Sequence, residues 1–285
     1  MTTPRTVGVL GGGRMGAGIA HAFLLAGAEV VVVERDEDSA DAAAERVRDS
    51  VSRSLERGTT GRTLADFGAA FSTATDAAAF VDCDLVVEAV PEDRALKTEA
   101  LVRAERAMPA ASVLASNTSS ISIDDLAAHL ERPDRFLGLH FFNPVPASTL
   151  VEVVVGASTA PEVTSAAREW VDAIGKTAIV VRDSPVFASS RLGLALGLEA
   201  IRMLEEGVAD AEDIDAAMTL GYRHPVGPLR TTDIVGLDVR LGIAEELAAH
   251  LGERFEPPAL LRRMVAEGKL GRKSGEGFYV WKDDR

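Results

Sequence analysis

The chain is poor in cysteine, in positive charge and in long apolar runs, and each shortage excludes something. Its 285 residues hold one cysteine, Cys83, so no internal disulfide can form. That usage fits a reduced compartment, and a cytoplasmic location is expected. Acidic side chains outnumber Lys and Arg by 44 to 30, for a formal net charge of −14. Nucleic-acid binders are ordinarily basic, so no nucleic-acid partner is expected. No apolar stretch is long enough to span a bilayer, and the opening MTTPRTVGVL has no leader or transit signature. There is no internal repeat or low-complexity tract. With 47% apolar residues, a chain of this length can bury a sizeable core without a metal.

What is present alternates. Short β-rich runs fall at 6–10, 29–33, 84–90, 112–116, 136–142, 150–155 and 177–181. Ala-rich helical patterns fall near 14–26, 38–57, 94–107, 122–130 and 161–174. Such alternation implies βαβ units and a parallel sheet covered on both faces. One connection breaks the rule. Only seven residues separate Phe142 from Leu150, and two of them are proline. A parallel crossover needs roughly a dozen. The runs near 140 and 152 are therefore predicted to be antiparallel neighbours, within reach of each other at His140 and Glu152. After Asp183-Ser184-Pro185 the pattern becomes helical, at 186–206, 211–220, 236–250 and 258–268, with one strand expected in the tail at 277–281. Two domains follow: 1–183, α/β, and 184–285, all-α.

The segment GVLGGGRMGAGIA follows a strand and opens a helix, with Gly11, Gly13 and Gly16 at the spacing of a dinucleotide fingerprint. Gly11 permits the tight turn, Gly13 lets backbone approach a pyrophosphate, and Gly16 lets helix and strand pack closely. The second strand ends in Glu34, 23 positions after Gly11. An acid there accepts from the adenosine ribose and repels a 2′-phosphate, so the first domain reads as Rossmann-like and the cofactor as NAD. Glu92 and Lys97 sit in VEAVPEDRALK, beyond another strand, where a solvated helix start is the plainer explanation. ASNTSSIS ends a further strand with hydroxyls that could cap a helix or touch a substrate. His140 in GLHFFNPVP and Glu152 in LVEVVV form the sharpest pair. A carboxylate fixes an imidazole's tautomer and makes it a better base, though a purely structural pair has the same spacing.

Together these residues resemble the 3-hydroxyacyl-CoA dehydrogenase family in its short form. The matching segments are GVLGGGRMGAGIA, DLVVEAVPE, ASNTSSISI, RFLGLHFFNPVP, LVEVV, EDIDAAMTLGY, GPLRTTDIVGLD and GRKSGEGFY, in the family's order and over nearly the whole chain. The resemblance implies NAD-dependent oxidation of a (3S)-3-hydroxyacyl-CoA. It makes His140 the base, Glu152 its support and Ser119 a donor to the substrate oxygen. Arg14 and Met15 would join Gly11, Gly13, Gly16 and Glu34 around the cofactor, with Glu92, Lys97, Asn143 and Lys273. A departure lies at VFASSR, where the family has an asparagine and this chain has Ser190, the fourth expected site residue. Arg53 and Arg57, with Arg62, are candidates for coenzyme A phosphates. Arg223 and Arg230 are candidates for a second carboxylate on the substrate. A homodimer through the helical domain is also implied. Two other functions fit the fold: a dehydrogenase of a small hydroxy acid without coenzyme A, which the HFFNP segment argues against, and a non-catalytic nucleotide binder, which the His140–Glu152 pair argues against.

Overall fold

The alternation in the sequence becomes one sheet of eight strands. The structure, a computed structural model, describes residues 3–281. The chain divides into two units, Met1–Asp183 and Ser184–Arg285. The strands are β1 (Thr6–Leu10), β2 (Glu29–Val33), β3 (Phe71–Ala74), β4 (Leu85–Glu88), β5 (Val113–Ser116), β6 (Phe136–Phe141), β7 (Leu150–Val155) and β8 (Thr177–Arg182). The helices of the first unit are α1 (Arg14–Leu25), α2 (Glu37–Glu56), α3 (Leu64–Ala69), α4 (Arg94–Ala107), α5 (Ile123–Ala127) and α6 (Pro161–Ala173).

The strands lie in the order β3-β2-β1-β4-β5-β6-β7-β8. All neighbours are parallel except β6 and β7. Every residue of β4, β5 and β6 is buried, as expected where helices cover both faces. Each Val or Leu withdrawn from water there contributes ~1.5–3 kcal/mol. The strand order reverses at β1, which has β2 on one side and β4 on the other. At such a reversal a crevice opens beyond the carboxyl ends of the strands. Helix starts are fixed by side chains that take up amides the helix leaves unpaired. Asp36 accepts from Ser39 N on α2, Asp93 from Leu96 N on α4, and Ser122 from Asp125 N on α5.

The second unit is helical: α7 (Ser189–Glu205), α8 (Ala211–Gly221), α9 (Pro228–Val235), α10 (Leu237–Leu251) and α11 (Ala259–Ala266). Leu194, Leu198 and Ile201 of α7 share a core with Leu229, Leu237, Leu247 and Leu261.

Four details differ from the sequence pattern. The expected tail strand at 277–281 does not form. The carboxylate of Asp233 takes the amides of Phe278 and Tyr279 at 2.9 and 3.0 Å and the indole N–H of Trp281 at 2.8 Å, so a side chain supplies what a neighbouring strand would have supplied. Helix α7 starts at Ser189 rather than 186, because Val186 and Phe187 take left-handed backbone angles, φ 59° and 52°. Strand β3 is a four-residue edge whose only neighbour is β2, too short to show alternation. Helices α3 and α9, the latter opened by Pro228, lie in runs that had no helical assignment.

His21 of α1 is 3% exposed, and its Nε2 lies 2.9 Å from Ser54 Oγ of α2. Burial, and then the charge of Lys176, hold its pKa below the usual value of 6.5. A depressed histidine stays neutral in the fold while the unfolded chain takes up a proton. The stability it supports is therefore complete above pH 6.5 and is lost as pH falls through the lowered folded value. Melting temperature should drop as pH falls below about 6.5, and His21→Gln should flatten that dependence. An unchanged slope in the variant would remove His21 from the account.

Candidate active site

The carboxyl edge of the sheet gathers side chains from five strand ends. At the end of β1, Gly11 has φ +97°, and a Cβ there would press on the backbone of Ala89 at 3.0 Å. Gly13 caps α1, and a Cβ on it would meet no atom within 4 Å. Gly16 is the opposite case, since its Cβ would stand 1.8 Å from Gly11 O. The first glycine thus makes the turn, the third lets α1 pack on it, and the second leaves open space at a helix N-terminus. Backbone amides and the positive end of the helix dipole suit a pyrophosphate there. Arg14 and Met15 form the first residues of α1, Arg14 exposed and Met15 half-buried. Just past β2, Glu34 Oε1 accepts from Gly12 N at 2.6 Å, which holds an acid beside the turn. The residues present fit a dinucleotide. Arg35, the next residue, pairs with Asp36 at 2.9 Å, and Arg46 donates to Gly12 O at 3.3 Å.

Beyond β4 lies a buried charge network. Lys97, 1% exposed, pairs with Glu88 at 2.7 Å and with Glu92 at 3.2 Å. Glu88 also accepts from Ser116 Oγ and from Val90 N. Burial raises the pKa of Glu88, against the pull of Lys97. For Glu92 burial also raises the pKa, but Lys97 with the donors Thr118 and Ser119 outweighs it and holds the carboxyl below its usual value. Glu92 Oε1 accepts from Thr118 Oγ1 at 2.6 Å, from Ser119 N at 2.9 Å and from Ser120 N at 3.1 Å. The loop after β5 is therefore shaped around one carboxylate, with Ser119 exposed on it.

His140 on β6 faces Glu152 on β7 in register. Its Nδ1 lies 2.7 Å from Glu152 Oε2, with His140 5% and Glu152 0% exposed. The ring of Phe142 packs against the imidazole at a centroid distance of 4.4 Å. Asn117, at the end of β5, accepts from Phe141 N at 2.8 Å and ties β6 to the serine loop. Asn143 is exposed just past β6. The short reversal after it is pinned by Lys176, whose ammonium donates to the carbonyls of Val145, at 2.7 Å, and Ser148. Burial lowers the pKa of Lys176.

Arg53 and Arg57 are exposed at the end of α2, Arg53 only 3.9 Å from Asp49. Arg62 is turned inward, donating to Leu24 O at 2.9 Å and stacking on Phe67. Ser190 and Lys273 belong to the second unit. Ser190 lies in the first turn of α7, and Lys273 pairs with Asp238 at 2.5 Å. Sequence reasoning missed Glu88, Asn117 and Lys176. Glu88 had a signal, a lone acid closing an apolar strand, as Glu152 is in its own. Lys176 had none, because its partners are backbone carbonyls of a loop far along the chain.

Fold and site together define a class, the NAD-dependent oxidoreductases. The family pattern described as 3-hydroxyacyl-CoA dehydrogenase, NAD binding domain, matches residues 6–184, and its C-terminal domain matches residues 187–281. A probable 3-hydroxybutyryl-CoA dehydrogenase of Deinococcus radiodurans is 41% identical over 275 residues, 96% of this chain and 99% of that one. A 3-hydroxybutyryl-CoA dehydrogenase of Mycobacterium tuberculosis is 42% identical over 280 residues, covering 96% of this chain and 98% of that one. The crystal structure of an (S)-3-hydroxybutyryl-CoA dehydrogenase from Ralstonia eutropha superposes with a TM-score of 0.93 at 38% identity, covering 99% of this chain and 100% of that one. The chain belongs to the 3-hydroxyacyl-CoA dehydrogenase family. Among the described residues no helix is long and apolar enough to cross a membrane.

The two glycines of the turn should separate binding from folding. Gly13→Ala should leave the melting temperature near that of the unmodified protein and weaken NADH binding, read by fluorescence titration. Gly16→Ala should instead lower stability, by about 1–3 kcal/mol or more, because the helix must move off Gly11. Equal behaviour of the two variants would contradict the assignment of the open space to the cofactor.

Proposed function

We propose that the protein oxidises (3S)-3-hydroxyacyl-CoA thioesters reversibly to 3-oxoacyl-CoA, and that His140 is its base. The observation that supports this most is the 2.7 Å contact of His140 Nδ1 with the fully buried Glu152. A carboxylate at Nδ1 holds that proton and makes Nε2 the basic nitrogen. His140 then takes the proton of the substrate hydroxyl at Nε2, and Glu152 offsets the positive charge that the ring acquires. A base placed in this way is worth ~10²–10⁴-fold in rate. NAD⁺, when bound, supplies the hydride acceptor. Ser119 donates to the substrate oxygen from a loop that Glu92 keeps in shape, and Ser190 takes the place of the family's asparagine. Gly11, Gly13, Arg14, Met15, Gly16 and Glu34 hold the cofactor from the glycine turn. Glu92, Lys97, Asn143 and Lys273 line its other parts. Arg53 and Arg57 are the exposed cations left for coenzyme A phosphates.

The first unit carries the cofactor and the base, and the second contributes substrate contacts and the dimer. A homodimer is supported by large apolar side chains of the second unit that face solvent: Leu192 at 71%, Leu220 at 83% and Tyr222 at 75% exposure. Cover by a second copy would withdraw them from water. A cytoplasmic location is supported by the cysteine usage, a single free and buried Cys83.

NADH formation with a panel of 3-hydroxyacyl-CoAs and free hydroxy acids tests the function, and activity confined to the free acids would overturn it. His140→Gln should lower kcat by about 10²–10⁴-fold with NADH binding retained. Glu152→Gln should also lower kcat, and the double variant should lose less than the product of the two, because the pair acts as one unit. Glu34→Ala should narrow the preference for NAD⁺ over NADP⁺, since the repulsion of a 2′-phosphate is gone; an unmodified protein indifferent to the two cofactors would refute that role. Light scattering of a stable monomer at micromolar concentration would refute the dimer.

A further inference from the structure

Five donors of the loop after β5 converge on one oxygen, Glu92 Oε1. It accepts from Thr118 Oγ1 at 2.6 Å, from Ser119 N at 2.9 Å, and from Ser120 N and Ser120 Oγ, each at 3.1 Å. The hydroxyl of Ser119 stands last, at 3.4 Å. The other oxygen, Oε2, faces Lys97 at 3.2 Å. A carboxylate has about four lone-pair sites over its two oxygens, so one oxygen holds about two donors well. Glu92 Oε1 is oversubscribed, and the longest contact is the one left over. An O–H···O hydrogen bond is ordinarily about 2.7–2.8 Å long, which makes the contact of Ser119 Oγ a weak hold.

The order of these donors follows from what fixes each of them. The amides of Ser119 and Ser120 belong to the loop backbone and cannot turn away. Thr118 is fully buried, and its Oγ1 accepts from Ile121 N at 3.0 Å, which directs its own proton to Glu92. Ser120 is half-buried and Ser119 is exposed. Of the three hydroxyls, that of Ser119 alone is both loosely held and open to solvent. A hydroxyl has one proton to donate. A Ser119 that gave it to Glu92 would have none for a substrate oxygen. Glu92 would win such a contest against a neutral carbonyl, because hydrogen bonds to ionised groups are roughly twice as strong. Filling Oε1 from the neighbouring residues prevents that loss.

We propose that Ser120 is a positioning residue, whose hydroxyl occupies Glu92 Oε1 and so keeps the proton of Ser119 available to the oxygen on C3 of the substrate. This rests on the dehydrogenase reading above and on the assignment of Ser119 to the substrate. Without the Ser120 hydroxyl, Ser119 Oγ moves into the vacated place on Glu92. The oxygen on C3 becomes more negative as a 3-oxo group is reduced, so the loss falls mainly on kcat.

The test follows NADH consumption with acetoacetyl-CoA and with 3-oxohexanoyl-CoA. Ser119→Ala should lower kcat by about tenfold to a hundredfold. Ser120→Ala should lower it by about threefold to tenfold, with NADH binding and melting temperature close to those of the unmodified protein. Ser120→Thr keeps a hydroxyl and should bring kcat back to within about twofold. In the Ser119→Ala background, Ser120→Ala should change kcat by less than about twofold, because no proton is left to protect. A Ser120→Ala protein as fast as the unmodified one overturns the inference. So does an equal loss in both backgrounds, which gives Ser120 a role in loop shape alone, and so does a Ser120→Thr variant as slow as Ser120→Ala. Ser119→Ala without effect on kcat overturns the inference together with the assignment of Ser119, and leaves His140 and the dehydrogenase reading in place. An unmodified protein that reduces neither thioester overturns that reading, and the inference with it.

Discussion

In a sheet whose other pairings run parallel, the reversal between β6 and β7 sets His140 directly opposite Glu152. Everything else at the carboxyl edge depends on that pairing. Side chains alternate along a strand, so a slip of one residue would send His140 to one face and Glu152 to the other. The register is held from both sides. On one, Asn117 fixes the amide of Phe141. On the other, Lys176 gathers the carbonyls of Val145 and Ser148 and closes the turn. A buried imidazole beside a buried carboxylate is stable only when each satisfies the other, and the strand pairing makes that contact without using any flexible loop.

The acidic balance of the chain sits at odds with a function that needs anions bound, and local placement resolves it. At the glycine turn an anion needs no side-chain cation, because the start of α1 at Gly13 offers the positive end of the helix dipole and open space in front of it. Beyond β4, one lysine is shared by two glutamates, and the acid nearer solvent is the one whose carboxylate organises Thr118, Ser119 and Ser120. Breaking a buried pair of this kind costs about 3–5 kcal/mol, so Glu88 and Lys97 give the serine loop a rigid base. The net charge says little about such a site; the partners of each charge say most of it.

Much of this was legible in the sequence, for reasons that differ by element. The glycine spacing announced the turn because each glycine answers a separate steric demand. The seven residues between Phe142 and Leu150 announced the reversal because a crossover needs more chain. The pair His140–Glu152 followed from that reversal. What stayed hidden was tertiary. Strand β3 is too short for a period, and the tail at 277–281 looked like a strand until Asp233 took its amides. Lys176 and Asn117 act on backbone atoms far along the chain, and no spacing rule reports that.

These differences follow a division between the two units. In the first, the groups assigned to proton transfer are fixed by strand register, where a substitution at one position disturbs its neighbours. In the second, Ser190, the group assigned to substrate contact, stands half-buried in the first turn of α7, in helical backbone that does not depend on its identity. A helix can exchange an asparagine for a serine at such a position without moving the strands that hold His140 and Glu152. The proposed proton transfer thus rests on strand register, which tolerates little change, and the proposed contact of Ser190 on a helix position that tolerates more.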